Sequence, residues 1–203
     1  MIVTLCIIVL TCLVSITAFG SRKLLEGLIL WPPAVANNGQ VYRLITYGLV
    51  HADGQHLLFN MFTLYFFGGA MERFFSSYVG ESGFALFYLG GLLASILPTY
   101  VKNRHNAEYR SLGASGAVSA VLFAFILLQP WATIYVFVLP VPAIIFAVAY
   151  LGYTIYMDRR SAGQVNHSAH LWGAIYGIVF TLVMEPRVLG AFLQALVHPR
   201  FGL

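Results

Sequence analysis

Gly113-Ala114-Ser115-Gly116-Ala117-Val118-Ser119-Ala120 opens an apolar run that ends at Leu128. A helix over Ser115–Leu128 is only about 21 Å long at ~1.5 Å per residue. That falls short of the ~30 Å hydrocarbon core of a bilayer. In a membrane protein the start of such a helix lies below the membrane surface, inside protein and within reach of water. Ser115 is then sunk but hydrated, as hydrolysis requires. Gly116/Ala120 and Ser115/Ser119 place small residues every fourth position, a pattern that lets two helix backbones approach closely.

Composition identifies the solvent. Of the 203 residues, 60% are hydrophobic and 9% charged, with a mean hydropathy of +0.82, whereas an ordinary soluble domain is about 25% charged. So little polar surface cannot cover a soluble globule, and the expectation is a one-domain, multi-pass integral membrane protein with the lipid bilayer as partner. The net charge of +4 is scattered. No basic run interleaved with aromatics points to nucleic acid, and the charges suit loops beside anionic headgroups. Cys6 and Cys12 lie about 240° apart around a helix and cannot bridge locally. No Cys/His cluster has ligand spacing, so no structural metal is expected. The first apolar run has no basic segment before it and is too long for a signal-peptide core, so it reads as a retained span.

Six apolar segments predict an all-α membrane protein, a bundle of six transmembrane helices with a long interfacial first loop. They run over about Ile2–Phe19, His56–Phe74, Phe84–Tyr100, Ser115–Leu128, Trp131–Met157 and Ala169–Met184. The first loop, some thirty residues to Gln55, carries Trp31, Pro32, Pro33, Tyr42 and Arg43, an aromatic and proline mixture suited to the headgroup region. Residues 1–185 form the expected core, and 186–203 a short interfacial or flexible tail.

Strongly polar side chains at membrane depth are by default a functional-site hypothesis. His170 sits one turn before Gly173-xxx-Gly177 on the same helix face. If that stripe packs on Gly116/Ala120, His170 lands beside Ser115. His56 and Asn60, four apart, project from one face of the second span. With the Ser115 backbone N–H they could converge as donors on a developing oxyanion. Each feature alone has a plainer reading. Small residues pack helices, a transmembrane serine bonds its own i−4 carbonyl, and an asparagine can glue helices together. All four polar groups at helix ends on one membrane side are harder to explain as packing. No carboxylate completes a triad, because Asp53 and Asp158 are loop residues and Glu72 lies at the far end of its helix from His56. The expected chemistry is a Ser–His dyad, with His170 as base toward Ser115 and acid toward the leaving amine.

The chain resembles the rhomboid intramembrane serine proteases. The resemblance rests on His56-x-x-x-Asn60, Gly113-x-Ser115-Gly116 and Ala169-His170-x-x-Gly173-x-x-x-Gly177. Tyr42-Arg43 is similar to the family's Trp-Arg pair, and Gly68-Gly69-Ala70-Met71-Glu72 to the end of its second helix. The match covers about residues 1–185. It implies hydrolysis of a peptide bond in or near the transmembrane segment of a membrane-protein substrate. Ser115 is implied as nucleophile, His170 as base, and His56 and Asn60 as oxyanion donors, with no cofactor or metal. Two positions depart from the family. Ser119 stands where a tyrosine often stacks on the catalytic histidine, and Ser168 stands where glycine is frequent.

Eight Lys/Arg on the catalytic side (Arg22, Lys23, Arg43, Lys102, Arg104, Arg110, Arg159, Arg160) oppose three on the other (Arg73, Arg187, Arg200). By the positive-inside tendency this places the site in the cytoplasm. Resemblance to bacterial rhomboids implies the reverse orientation, in a bacterial inner membrane, and the family orientation is the expectation. The competing functions are an inactive rhomboid-like client-binding protein and a small transporter with a histidine proton relay. The transporter would call for mid-span acids or broken helices in paired halves, and neither occurs in the sequence.

Overall fold

The computed structural model describes residues 1–136, 138–160 and 166–199. Phe137 within the expected fifth span, the connection at 161–165, and the end of the expected tail with Arg200 lie outside the described residues. The chain is an all-α membrane fold. Its helices are α1 (Ile2–Phe19), α2 (Arg22–Leu28), α3 (Pro32–Asn38), α4 (Arg43–Thr46), α5 (Gly54–Val79), α6 (Gly83–Lys102), α7 (Ser115–Leu128), α8 (Ala143–Arg160), α9 (His167–Met184) and α10 (Arg187–Val197). Among the described residues, α1, α6 and α9 are long and apolar enough to cross a membrane by length and composition.

Helix α1 has its polarity inside out. Thr4, Thr11, Ser15 and Ala18 are buried, while Leu5, Val9, Leu13 and Ile16 are 44–62% exposed. Lipid is as apolar as leucine, so burying leucine brings no gain there, and helices associate through small and polar side chains instead. The opening of α1 is tied to α5 by Glu72, whose carboxylate accepts the backbone N–H groups of Val3 (3.1 Å) and Thr4 (2.8 Å) and the Thr4 hydroxyl (2.6 Å). The Met1 amine lies 2.9 Å from the same carboxylate. Glu72 thus satisfies N–H groups that a helix start leaves without an internal partner.

Helix α7 is the axle of the bundle, buried along nearly its whole length between α5, α6 and α9. Small residues make this possible. A Cβ on Gly173 would overlap the Gly116 carbonyl oxygen, and one on Gly177 the Ala120 carbonyl oxygen. The small stripes of α7 and α9 therefore meet backbone to backbone. Below the site, stacked Phe75 and Phe87 (4.3 Å) with Phe84, Tyr176 and Phe180 form an aromatic floor.

Two expectations need correction. The fifth span does not start at Trp131. Thr133–Val136 (β1) pairs antiparallel with Leu139–Pro142 (β2), and α8 starts only at Ala143. Branched and aromatic residues in β1 favour extended chain. Pro140 and Pro142 lack the N–H a helix needs and disfavour helix in the residues before them. The second helix also outruns its expected bounds. Asp53 caps its start by accepting the His56 N–H (2.7 Å), and Gly80 ends it at φ +76°, a conformation glycine adopts freely.

The first loop is structured throughout. Arg43 is buried and donates to the Gln40 side chain (2.6 Å) and to the carbonyls of Glu26 (2.8 Å) and Ile29 (2.7 Å). It thereby satisfies the open C-terminal carbonyls of α2. A two-way backbone bridge then links Leu30 to Ser111, and Arg110 covers the Trp31 ring at 4.6 Å. The loop is therefore fastened to the segment that delivers Ser115.

Candidate active site

Ser115 is the first residue of α7, reached through Gly113 at φ +106°. A side chain is strained at that φ, and any Cβ on Gly113 would also meet the His56 ring. The turn is held by Gly113 N–H donating to the Tyr47 carbonyl (2.9 Å). Tyr47 is in turn anchored through its hydroxyl to the Leu92 carbonyl (2.7 Å). At the head of α7, the Ser115 N–H is one of the donors left open by the helix, at the positive end of its dipole.

His170 lies in the first turn of α9. Its Nε2 is 2.7 Å from the Ser115 Oγ, and both residues are half-buried. The head of α9 is set by Asn166. Its side chain accepts from Ala169 N–H (3.0 Å) and from the Thr99 hydroxyl (3.3 Å), and it donates to Ser111 (3.3 Å). One asparagine thus connects α9, α6 and the segment leading to Ser115.

His56 and Asn60 open α5 on the wall facing this pair. Asn60 Nδ2 donates to the His56 carbonyl at 2.9 Å. Ser115, His170, His56 and Asn60 line a single cavity of ≈ 820 Å³, bounded by α5 on one side and by Phe146 and Tyr150 of α8 on the other. Gly113 and Gly116 contribute to its lining, whereas Gly173 and Gly177 lie behind it at the α7–α9 contact, Arg43 holds the end of α2, and Glu72 holds the start of α1.

Three supporting residues were not singled out from the sequence. One is Asn166, a polar residue just before the last apolar run. Another is His51, fully buried beside His56 (ring centroids 4.8 Å). Ser15 Oγ donates to the Leu49 carbonyl (2.8 Å) and so receives the proton of His51 Nδ1 (2.9 Å). His51 Nε2 then accepts the Ala114 N–H (3.3 Å). Burial first, and the neighbouring His56 second, hold the His51 imidazole down to about 3 from an ordinary 6.5. It is therefore a neutral strut between α1 and the residue before Ser115. A histidine within the apolar Leu49-Val50-His51 segment was its sequence signal. The third is Tyr150 on α8, whose ring faces His170. Nothing in the local sequence distinguishes it from the other tyrosines of that helix.

Among the described residues no group of three or more His, Cys, Asp or Glu side chains could hold a metal ion. A serine hydroxyl against an imidazole, in a cavity that N–H-bearing side chains also line, is chemically suited to nucleophilic acyl transfer.

A family model described as the Rhomboid domain matches residues 38–187. The chain is 34% identical over 151 residues to RHOMBOID-like protein 12, mitochondrial, of Arabidopsis thaliana, covering 68% of this chain and 44% of that protein. It is 35% identical over 99 residues to the putative rhomboid protease YdcA of Bacillus subtilis (46% and 47% covered). It is 27% identical over 154 residues to the rhomboid protease GlpG of Haemophilus influenzae (75% and 74% covered). The matched regions span less than half of the first two relatives' own length.

Proposed function

The chain belongs to the rhomboid family, and from that premise we propose that it is an intramembrane serine endopeptidase working by a Ser115–His170 dyad. The observation that carries this reading is the 2.7 Å contact between His170 Nε2 and Ser115 Oγ inside a cavity at the head of a short, central helix. His170 takes the Ser115 proton as the hydroxyl attacks the scissile carbonyl, and returns it to the leaving amine; water then releases the acyl group by the same route.

The oxyanion forms against the Ser115 N–H, the His56 ring and the Asn60 amide. An amide has two N–H bonds; one of Asn60's goes to the His56 carbonyl, leaving the other for the cavity. The substrate is an extended stretch of a membrane protein's transmembrane segment, entering between α5 and α8, whose side chains wall the cavity. A helix has its backbone bonds satisfied internally, so cleavage selects segments that unwind at small or glycine residues. The relatives' names include bacterial, mitochondrial and chloroplast proteins, so the expected bacterial inner membrane is one of several membranes that host this fold.

A fluorophosphonate probe tests the reading. The expected outcome is one adduct, on Ser115, absent from Ser115→Ala and from His170→Ala. A folded wild type that takes no label would point to a client-binding protein instead.

A further inference from the structure

The hydrogen bond to Ser115 fixes one atom of the His170 ring but not the plane of the ring. General-base transfer needs both, because the imidazole lone pair must aim at the hydroxyl proton. His167 meets His170 edge-on at 6.0 Å, but it sits on the same helix and moves with it. A brace has to come from another element.

Tyr150 provides one from α8. Its ring lies nearly parallel to the His170 imidazole, with an interplanar angle of 19° and centroids 6.1 Å apart, within the range of offset aromatic pairs. Tyr150 is itself held on three sides. Its hydroxyl is 2.8 Å from Ser119 Oγ, Phe146 stacks on it at 5.7 Å, and Phe123 packs at 5.7 Å. Ser119 is buried one helical turn beyond Ser115. Contacts thus run in a closed ring: Ser115 to His170, His170 to Tyr150, Tyr150 to Ser119, and Ser119 back to Ser115 through one turn of α7.

We propose that Tyr150, locked by Ser119, is the positioning residue that holds the His170 imidazole in the plane its proton transfer requires. The proposal rests on the dyad reading. It gives Ser119 a reason to be polar on an otherwise apolar buried helix, since it pairs a tyrosine hydroxyl that would be costly to bury unpaired. It also ties the base to α8, the wall of the cavity opposite α5.

The test uses the purified full chain with Tyr150→Leu, Tyr150→Phe and Ser119→Ala, scored on a reporter transmembrane segment. In Tyr150→Leu kcat should fall on the order of tenfold to a hundredfold while KM stays within about twofold. Tyr150→Phe keeps the ring but loses the lock, as Ser119→Ala does, so both should fall between Tyr150→Leu and the wild type. A role in packing alone would instead lower the melting temperature and leave kcat per folded molecule unchanged. ¹⁵N-histidine NMR gives a second readout that needs no turnover, with the His170 signal identified by its loss in His170→Ala. Tyr150→Leu should move it, and Tyr150→Phe and Ser119→Ala should move it less. Wild-type kcat with an unmoved His170 signal in Tyr150→Leu overturns the proposal. A wild type that cleaves nothing, with a His170 signal that still moves in Tyr150→Leu, overturns the dyad reading and leaves the brace standing.

Discussion

At the residue scale the proposed mechanism divides the site into groups that would touch the reaction and groups that would aim them. Asn60 belongs to the first set. Its bond to the oxyanion strengthens only as charge develops, so Asn60→Ala should lower kcat roughly a hundredfold, the usual cost of one oxyanion donor, with a smaller change in KM. Steady-state kinetics on one reporter decides this, and equal kcat in both proteins would remove Asn60 from the hole. His51 belongs to the second set and should be visible in pH. Its folded value near 3 lies below the ordinary 6.5, so between those values the unfolded chain binds the extra proton and the native chain does not. The stability it contributes is complete above about 6.5 and drains away as pH falls toward 3. Melting curves at pH 7.5 and 4.5 should show a larger loss in the wild type than in His51→Gln. Equal losses would mean that His51 is not the group responsible.

At the scale of elements, two contacts hold the bundle. The α7–α9 interface has no room for side chains at Gly173 and Gly177. Gly177→Val should force the helices apart and remove both activity and the cooperative thermal transition, whereas Gly152→Ala, with nothing within 4 Å of its Cβ, should leave both intact. Glu72 binds the opening of α1 from the later part of α5, far from His56. Glu72→Ala leaves those N–H groups unpaired where water is scarce and should cost about 3 kcal/mol, measured by unfolding in mixed micelles. These two supports differed in how readable they were. The glycine stripes could be read because the period of a helix is fixed and small residues say which face is close. Glu72 could be located, but not its partner, because the N–H groups it accepts are backbone and leave no mark in the sequence. The hairpin at Thr133–Pro142 was missed for a related reason. An apolar run has the same hydropathy as strand or helix, and here the two prolines carried the distinction.

At the scale of the whole molecule, the chain is a short buried helix wrapped by longer ones. The length of Ser115–Leu128 and the excess of apolar residues make that architecture legible in the sequence. The pairing of Ser115 with His170 was legible too, because both stand at helix heads above matching stripes. The imidazole brace was not. Ser119 was visible as an odd residue, but its partner is 31 positions later on another helix, and only the fold shows which tyrosine of α8 reaches it. The same holds for Arg43, which the sequence marks only as half of a family-like Tyr-Arg pair, and which the fold spends on the carbonyls of Glu26 and Ile29.

The central claim is that this chain hydrolyses peptide bonds inside a membrane through Ser115. The most direct measurement is cleavage of a reporter transmembrane segment in proteoliposomes, with the product mass locating the cut, beside Ser115→Ala. Wild-type protein should cut within or beside the segment, and Ser115→Ala should not cut at all. Cutting at equal rates by both, or by neither while both are folded, would contradict the account.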